Sequence, residues 1–532
     1  MATEKLLDVG LKLIVVGFVI FIGRVVWRYF IFGAARNIVY RTGNDLYNHL
    51  QTLPQNYFIN QKTGDLMARF TSDLDSLRMA IGPGLMMAVD GIIMTGFVLL
   101  SSFLFIDPIL TLVAIIPLPI IGIGGFFFGK SLQIRFKEKQ EAFSKLTDFI
   151  LESFSGIRVI KAFVMEPARL KEFNKVNDFT RDKNIAVSNA VALLFPLVEV
   201  ISGLSYCLAI IIGGYMTVKG YITIGNFIAF NQLIGLLIWP MVAIGWSLNI
   251  FSQGIASLDR INAVLDQKND IIDGYLTPQI NNDKIEIIIK DLTFSYPKSD
   301  RIILNGINLT INSGCSIGIT GRTGAGKTAL IDLITRLYDP PRNTIFVNGI
   351  DILDIKIAYL RATIGVVTQE HYLFSKSISD NIRLSDPDAD IEAVESASIK
   401  ASLHENVSNF PGGYDTIIGE KGVTLSGGQK QRLSIARSLL GNPSVLIFDD
   451  SLSAVDSETE AQLLNSLRTE RKGKTTIIIS HRLSAIRNCD TIIVLDEGKI
   501  VESGIHKELI KTKGLYHSMF NRQLIESEIE KA

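Results

Sequence analysis

The chain has 532 residues, which is too long for one ordinary domain, so at least two domains are expected. Its 53 basic and 53 acidic residues leave no net charge, which argues against a nucleic-acid partner. The three cysteines are scattered without metal-binding or redox spacing, which argues against a disulfide framework.

The first half of the chain contains five apolar segments that are long enough to cross a bilayer, which needs about 20 residues. Hydrophobic residues make up 47% of the chain, and the excess lies here. The predicted spans are Val9–Phe32, Ile81–Ile106, Pro108–Gly129, Val187–Val218 and Ile222–Ile250. A large soluble core of buried helices is the alternative, but residues 109–129 carry no charge at all, which makes it a poor explanation.

Loop charge predicts the orientation of these spans. Residues 34–80 hold five Lys or Arg and residues 130–186 hold twelve, whereas the short loops at Asp107 and Lys219 hold one between them. By the positive-inside rule the two long segments are cytoplasmic. The C-terminal domain is then cytoplasmic too, and counting back through five spans places Met1 outside.

Ionisable residues within the predicted spans are costly in a bilayer and are often functional. Arg24, Asp90 and Glu199 are of this kind. Asp90 or Glu199 could line a cavity and attract a cationic amphiphile. Alternatively, they pair with polar neighbours or lie near the membrane interface.

After the last span the composition changes to that of a mixed, charged domain. Residues 266–282 include Gly274, Pro278 and several Asn and Asp, and are predicted to link a membrane domain (1–265) to a soluble domain (283–520). In the soluble domain strands alternate with helices, which indicates a doubly wound α/β sheet with a helical insertion that contains Ile391–Phe410. A charged tail (521–532) follows, and residues 514–532 are predicted to be helical.

A phosphate-binding loop is predicted at residues 321–328, GRTGAGKT, which match G-x-x-x-x-G-K-[ST] between a strand (Ser316–Thr320) and a helix (Ala329–Leu337). The glycines let backbone N–H groups converge on phosphate oxygens. Lys327 should reach the β- and γ-phosphates of ATP, and the Thr328 hydroxyl should ligate Mg²⁺. A strand-to-helix turn without a ligand is the alternative. The predicted contact residues are Gly321, Arg322, Thr323, Gly324, Ala325, Gly326, Lys327 and Thr328.

Two more patterns follow this loop. Leu425–Gln429 reads LSGGQ, and Ser444–Phe448 is an apolar run that ends in Asp449 and Asp450. Such a run is typical of a buried parallel strand that presents carboxylates at its C-terminal edge. In this order, the three motifs resemble those of ABC transporters, and the resemblance to ABC exporters covers essentially the whole chain.

The resemblance implies roles for single residues. Asp449 would hold Mg²⁺ through water, Gln369 would contact Mg²⁺ and the attacking water, His481 would lie beside the γ-phosphate, and Tyr296 would stack on adenine. Tyr296 could equally be a packed tyrosine, and a lone histidine after a strand is more often structural. The signature residues would close over ATP held by a second chain: Ser426, Gly427, Gly428 and Gln429. Ser453–Asp456 would cross between the two nucleotide sites.

Asp450 departs from the family pattern, in which this position usually carries the glutamate that acts as general base. A base must come within about 2.6–3.2 Å of the attacking water, and aspartate is one methylene shorter than glutamate. The substitution predicts slow hydrolysis at the chain's own ATP site. Alternatively, a small shift of the loop restores the geometry.

The resemblance therefore implies one half of a dimer that uses ATP and Mg²⁺ to export amphipathic or drug-like compounds across the cytoplasmic membrane. It is similar to the degenerate-site subunit of heterodimeric multidrug exporters of Gram-positive bacteria, whose partner half-transporter would carry the glutamate. Membrane lipids and a small-molecule substrate are the other expected partners. A homodimeric lipid or peptide exporter and an ATP-binding regulatory or inactive remnant remain as alternatives.

Two structural expectations also follow from the resemblance. Transport domains of this family have six helices, so the first helix is expected to be missing here, through a misassigned start, a truncated gene or a real short form. Residues 61–77 and 156–173 are expected to contain the short coupling helices that rest on nucleotide domains.

Overall fold

The computed structural model describes residues 2–278, 284–297, 299–419, 425–451 and 457–529. The chain forms two compact units. The first comprises Met1–Thr52 and Gln61–Lys268, and the second comprises Leu53–Asn60 and Asn269–Ala532. The segment 53–60 thus packs with the second unit, although the predicted division placed it in the membrane domain.

The first unit is entirely helical in the residues described. Its helices are α1 (Ala2–Thr52), α3 (Thr63–Ala68), α4 (Leu74–Met79), α5 (Leu85–Phe105), α6 (Pro108–Ile115), α7 (Leu118–Ser155), α8 (Ile157–Ala162), α9 (Glu166–Val218) and α10 (Ile224–Leu265), while α2 (Gln55–Ile59) belongs to the second unit. Single π-helical turns at Arg69–Asp73 and Ala80–Gly84 join α3, α4 and α5 into one long rod.

Four helices among the described residues are long and apolar enough to cross a membrane: Leu7–Thr52, Thr63–Phe105, Glu166–Val218 and Ile224–Leu265. A shorter apolar helical stretch, Pro108–Ile121, comprises α6 and the start of α7. The predicted span Pro108–Gly129 is interrupted at residues 116–117, because Pro117 and Pro119 remove backbone donors where α6 would continue into α7. The apolar window of the first long helix has none of its residues buried, as expected of a surface that faces lipid or another chain.

The long helices of the first unit pack side by side. The short helix α8 connects α7 to α9, and these two long helices pack against each other. α10 packs against α5 and α7. An ion pair joins the rod to α10: the Asp73 carboxylate is 2.5 Å from Arg260 Nη2 and 3.2 Å from Arg69 Nη1. The Asp73 side chain is 4% exposed and that of Arg260 is 46% exposed. The pair therefore buries the acid and leaves the guanidinium at a surface.

One of the two short helices between long rods lies outside its expected range. α8 falls within the predicted segment 156–173, but the other short helix, α2, ends just before the predicted segment 61–77. Pro54 has an extended backbone, lies just after the end of α1 and is the N-cap of α2, and Asn60 is the C-cap of α2. Residues 63–79 instead begin the next rod.

The second unit contains two sheets. Its strands are β1 (Ile287–Phe294), β2 (Leu304–Ile311), β3 (Ser316–Gly321), β4 (Ile345–Val347), β5 (Ile350–Asp351), β6 (Ile364–Val367), β7 (Val445–Asp449), β8 (Thr475–Ile479), β9 (Thr491–Asp496) and β10 (Lys499–Gly504). One sheet has the order β10-β9-β3-β8-β7-β6 and is parallel except at β10. The predicted doubly wound sheet is thus present, but the antiparallel sheet β2-β1-β4-β5 was not predicted.

Helices cover this framework. They are α11 (Lys327–Ile334), α12 (Ile357–Thr363), α13 (Ile378–Ile382), α14 (Ile391–Lys400), α15 (His404–Ser408), α16 (Gly427–Leu440), α17 (Ser457–Glu470), α18 (Leu483–Ile486), α19 (His506–Lys511) and α20 (Leu515–Ile529). α14 and α15 form the predicted helical insertion, and α20 the predicted terminal helix. Residues 279–283 of the predicted linker lie outside the described ranges.

The parallel strands are buried on both faces, which explains their unbroken apolar runs. In β7, Val445 and Ile447 belong to one core cluster and Leu446 and Phe448 to the other. Because alternate residues point to opposite faces, the two clusters cover the two sides of the sheet. The polar residues that follow β3, β7 and β8 therefore emerge together at the carboxyl edge.

Candidate functional site

The loop between β3 and α11 has the backbone geometry that its glycines predict. Gly326, just before α11, has φ 99°, in the left-handed region. A Cβ on Gly326 would lie 2.7 Å from Leu304 Cδ2, so no other residue fits without a shift. Lys327 Nζ donates hydrogen bonds to the carbonyls of Gly321 and Arg322, both at 2.9 Å. The lysine thus closes over the loop whose N–H groups would hold phosphate.

Three predicted metal ligands line one cleft of about 940 Å³ in the second unit: Thr328, Gln369 and Asp449. They offer a hydroxyl, an amide and a carboxylate, the oxygen ligands that Mg²⁺ prefers. Among the described residues, no group of three or more His, Cys, Asp or Glu could hold a metal ion. Any Mg²⁺ held here would therefore also need phosphate oxygens and water, which is usual for a nucleotide-bound magnesium ion.

Asp449 ends β7 and is strongly perturbed by its surroundings. Burial raises the pKa of its carboxyl to about 6, the negative charges of Asp332 and Asp450 add to the rise, and Lys327 opposes it. Burial lowers the pKa of Lys327, against the opposing effect of Asp450 and Asp449. A cation bound in the cleft would relieve this repulsion, so the electrostatics suit Mg²⁺.

Asp450 contacts the turn that follows β8. Its N–H donates to the carbonyl of Ile479 at 2.9 Å, and its Oδ1 accepts a hydrogen bond from the His481 backbone N–H at 3.3 Å. Its φ of 44° lies in the left-handed region, which Asp adopts more readily than most residues. The short side chain is therefore directed to the backbone of the neighbouring strand end.

His481 lies half-buried at the same edge. Burial lowers the pKa of its ring, the charge of Lys327 lowers it further, and Asp450 partly offsets both. A neutral imidazole carries one donor and one acceptor nitrogen, which is what a group beside a phosphate and a water molecule requires. The structure thus brings Lys327, Asp449, Asp450 and His481 together.

Tyr296 is packed within the unit. Its hydroxyl donates to Asp332 Oδ2 at 3.1 Å, and its ring meets those of Phe294 and Tyr338 edge to face, with centroids 5.2 and 5.0 Å away. Burial raises the pKa of the Tyr296 hydroxyl. The alternative of a packed tyrosine describes this position, and stacking on adenine stays a prediction. Sequence reasoning missed Asp332, for which an acid in the apolar helix α11 was the available signal.

The signature residues form the start of α16. Ser426 is the N-cap: its side chain accepts from the Gln429 N–H at 3.3 Å, and Gln429 Oε1 accepts from the Ser426 N–H at 3.0 Å. This reciprocal capping gives both residues a local role. The first turn of α16 still presents backbone N–H groups without intrahelical acceptors, and Ser426 and Gly427 are exposed. An exposed, capped helix N-terminus suits an external phosphate. Ser453–Asp456 lie outside the described residues.

A second candidate site lies in the first unit, where α7, α9 and α10 enclose a cavity of about 1080 Å³. Its lining is mostly apolar, with Phe128, Phe136 and Trp246 among the larger side chains. The amides of Gln133, Asn249 and Gln253 and the guanidinium of Arg260 supply polar groups. Among the described residues no Asp or Glu lines this cavity.

The two acidic residues of the predicted spans lie elsewhere. Asp90 and Glu199 are exposed and do not line this cavity. The buried Asp73 carboxylate pairs with Arg260, the charged residue of the described lining. Of the two alternatives for Asp90 and Glu199, lining a cavity does not apply to this one, because helix facing cannot be read from hydropathy alone.

Comparison with known proteins identifies the family of the chain. A family model described as ABC transporter transmembrane region matches residues 3–241, and one described as ABC transporter matches residues 304–453. The probable multidrug resistance ABC transporter ATP-binding/permease protein YheI of Bacillus subtilis is 39% identical over 497 residues, 93% of this chain and 85% of the relative. The multidrug resistance-like ATP-binding protein MdlA of Escherichia coli is 37% identical over 520 residues, 98% and 88% of the two chains.

Two further similarities are to a lipid exporter and to a solved structure. An ATP-dependent lipid A-core flippase of Syntrophus aciditrophicus is 34% identical over 497 residues, 93% of this chain and 82% of the relative. The solved structure of a bacterial Atm1-family ABC exporter with ATP bound superposes with a TM-score of 0.78 at 26% identity, and the match covers 92% of this chain and 86% of that one.

Proposed function

The chain belongs to the ABC transporters as an exporter-type half-transporter, and we propose that it is the slow-site subunit of a heterodimeric exporter of amphipathic compounds. ATP-driven export and a location in the membrane, with the nucleotide-binding unit in the cytoplasm, follow from the family. Its members work as dimers, because each ATP is enclosed by the phosphate loop of one subunit and the signature of the other. The heterodimer and the substrate class are the proposed parts.

The residues of the second unit have separate tasks at the proposed ATP site. Lys327 and the N–H groups of the loop bind the phosphates, while Thr328, Gln369 and Asp449 would hold Mg²⁺, which would supply charge neutralisation at the transferred phosphoryl group. His481 orients the γ-phosphate and the water beside it. Asp450 occupies the chain position at which the family usually carries the base for that water.

The observation that carries the heterodimer proposal is the position of the Asp450 carboxylate. It is one methylene short of the usual base, and its Oδ1 accepts from the His481 backbone N–H at 3.3 Å. A carboxylate engaged with the backbone is poorly placed to reach a water in the cleft. The signature, by contrast, is intact and exposed at the capped start of α16. This chain would therefore complete its partner's fast site while its own site hydrolyses slowly.

The experiment is a comparison of ATP turnover by the purified chain alone, by the chain with a glutamate-bearing partner, and by the chain carrying Asp450→Glu. We expect slow turnover alone, fast turnover in the mixture, and a gain from Asp450→Glu. Asp388→Asn, at an exposed position, is the matched control for a changed acid. Turnover by the native chain alone that equals that of the mixture would exclude the heterodimer. Inactivity in every pairing, with or without Asp450→Glu, would favour a remnant.

The lining of the membrane cavity supports a substrate that is amphipathic and carries no obligatory positive charge. A cation entering an apolar cavity needs a carboxylate nearby, and the one charged side chain among the described lining residues is Arg260. Aromatic and amide groups suit a neutral or anionic amphiphile. In vesicles, transport of a neutral or anionic fluorescent amphiphile should exceed that of a matched cation, and the reverse order would refute this substrate class.

A homodimeric lipid exporter is the second candidate, favoured by the 34% identity to a lipid A-core flippase. It predicts full turnover from this chain without a partner. The pairing experiment above therefore decides between the two.

A further inference from the structure

The turn that carries His481 is held by side chains from several elements. It spans residues 480–484, from the end of β8 into the first turn of α18. The His481 N–H donates to Asp450 at the end of β7. Glu460 of α17 accepts from Arg482 Nη1 at 3.1 Å and from Ser484 Oγ at 3.2 Å, and its side chain is 5% exposed. The turn is thus held from two sides, by Asp450 at the end of β7 and by Glu460 of α17.

Gln523 of the C-terminal helix α20 holds the same turn from a third side. Its Nε2 donates to the His481 carbonyl at 2.6 Å, and its Oε1 accepts from the Leu483 N–H at 2.9 Å. The orientation of the amide follows from its partners, because a carbonyl needs a donor and an N–H needs an acceptor. The two bonds bracket Arg482, so a single side chain fixes the backbone on both sides of the residue after His481.

Contacts at the start of α20 fix the position of this helix, and they therefore fix the position of Gln523. Glu502 of β10 accepts hydrogen bonds from the N–H groups of Leu515 and Tyr516 at the start of the helix. Tyr516 is fully buried, and its hydroxyl lies 2.7 Å from His506 Nδ1. Tyr516 and Gln523 are seven residues apart, two helical turns, and therefore lie on the same face.

We propose that Gln523 is a positioning residue for ATP hydrolysis, which holds the backbone of His481 so that its ring faces the γ-phosphate. The inference rests on the proposed function, because the role of His481 is part of it. ATP binding uses Lys327 and the loop before α11, which Gln523 does not touch among the contacts described. Loss of the clamp should therefore lower turnover and leave ATP binding nearly unchanged.

The test compares Gln523→Met, Gln523→Glu and the control Asn521→Leu in the full-length chain without its partner, so that the turnover measured comes from sites that contain His481. Methionine keeps the length and the helix propensity but makes neither bond. Glutamate can still accept from Leu483 but cannot donate to the His481 carbonyl. Asn521 is exposed on the same helix and its amide contacts only His517 among the bonds described. Turnover, the KM for ATP and hydrogen exchange of the peptide 480–486 are measured for each.

We expect Gln523→Met to lower kcat about tenfold, as for the loss of one to two hydrogen bonds, with the KM for ATP changed less than about twofold. Exchange of residues 480–486 should speed up. Gln523→Glu should lower kcat while exchange at Leu483 stays slow, a separation that a merely structural role would not produce. Unchanged exchange in Gln523→Met, or native kcat in Gln523→Glu, would overturn the inference, as would equal effects from Asn521→Leu.

His481→Ala separates this inference from the proposed function. Turnover of this variant is measured in the chain without its partner, once with the native Asp450 and once with Asp450→Glu. A fall in turnover in either background shows that the ATP is hydrolysed at the chain's own site. If His481→Ala lowers turnover and Gln523→Met does not, the inference fails and the proposed function stands. If His481→Ala has no effect in either form, the proposed role of His481 fails and the positioning role fails with it.

Discussion

Replacing Asp449 by Asn should stabilise the nucleotide-free protein at neutral and high pH while it removes Mg²⁺ binding. The carboxyl is 8% exposed, and its pKa is raised from its ordinary value of 3.8 to about 6, first by burial and then by the charges of Asp332 and Asp450. The folded state therefore holds this proton more tightly than the unfolded state does. The stability that it contributes is present below pH 3.8 and is lost as the pH rises through about 6.

The size of the effect follows from the shift. The pKa of about 6 in the folded state lies slightly more than two units above the ordinary value of 3.8. At about 1.4 kcal/mol per unit, this difference corresponds to about 3 kcal/mol of unfolding free energy. Because Asp449 lines an open cleft, water screens part of this cost, and we expect roughly 1–2 kcal/mol. Asparagine is neutral at every pH, so Asp449→Asn should gain this amount at pH 8 and almost nothing at pH 4. Lys327 keeps Asp450 as a counter-charge in the variant.

A thiol at the core of the second unit provides the assay. Cys489 is buried and burial raises the pKa of its thiol to about 12, so a maleimide reacts with it only when this unit unfolds. In a chain with Cys207→Ser and Cys315→Ser, the labelling midpoint should rise by about 2–8 °C in Asp449→Asn at pH 8. Asp388→Asn, which removes an exposed carboxylate, is the control. At pH 4, where few thiols are ionised, a dipyridyl disulfide that reacts with thiols in acid replaces the maleimide. An equal rise in the control, or an equal rise at pH 4, would refute the reasoning.

Three further changes have expected outcomes. Lys327→Ala should weaken binding of a fluorescent ATP analogue at least tenfold, because a charge-assisted bond to phosphate is lost; unchanged binding would exclude the loop as the phosphate site. Ser426→Ala removes the N-cap of α16 and should cost about 1 kcal/mol of unfolding free energy, while Ser426→Thr should keep most of it; equal losses would refute the capping role. Arg260→Gln, which leaves the buried Asp73 with one partner fewer, should destabilise the membrane unit by about 1–3 kcal/mol more than Asp73→Asn does, measured by thermal unfolding in detergent. A larger loss of stability from Asp73→Asn than from Arg260→Gln would show that Asp73, not Arg260, is the solvated member of the pair.

The parts of the molecule that local pattern determines could be predicted from the sequence. An apolar run closed by Asp449 and Asp450 has few alternatives to a buried parallel strand, and the strand was found at Val445–Asp449. The loop at Lys327 depends on glycines at fixed spacing, so its position was also predictable. The apolar segments were found in helices, but hydropathy averages over single residues and therefore missed the break that Pro117 and Pro119 make.

Contacts between distant positions could not be predicted in this way. Asp73 and Arg260 are 187 positions apart, and Gln523 and His481 are 42 positions apart. Which of many polar side chains meet is decided by helix register and packing, to which the hydrophobic pattern is nearly indifferent. The hydrogen bond from Tyr296 to Asp332 is a contact of the same kind. The sequence pattern around a tyrosine that packs in the core is the same as that around a tyrosine that stacks on adenine.

Asp450, the residue after β7, has a structural task beside the chemical one proposed for it. Asp450 has φ 44°, a backbone conformation that Asp tolerates better than Glu, and its carboxylate anchors the His481 N–H. A glutamate there would place its carboxylate farther into the cleft but would adopt the left-handed backbone at a higher energy and release that anchor. The aspartate is therefore shorter than a glutamate but holds the turn that carries His481. The slow site that we propose would then be one in which the turn that carries His481 is held from Asp450, Glu460 and Gln523 at once.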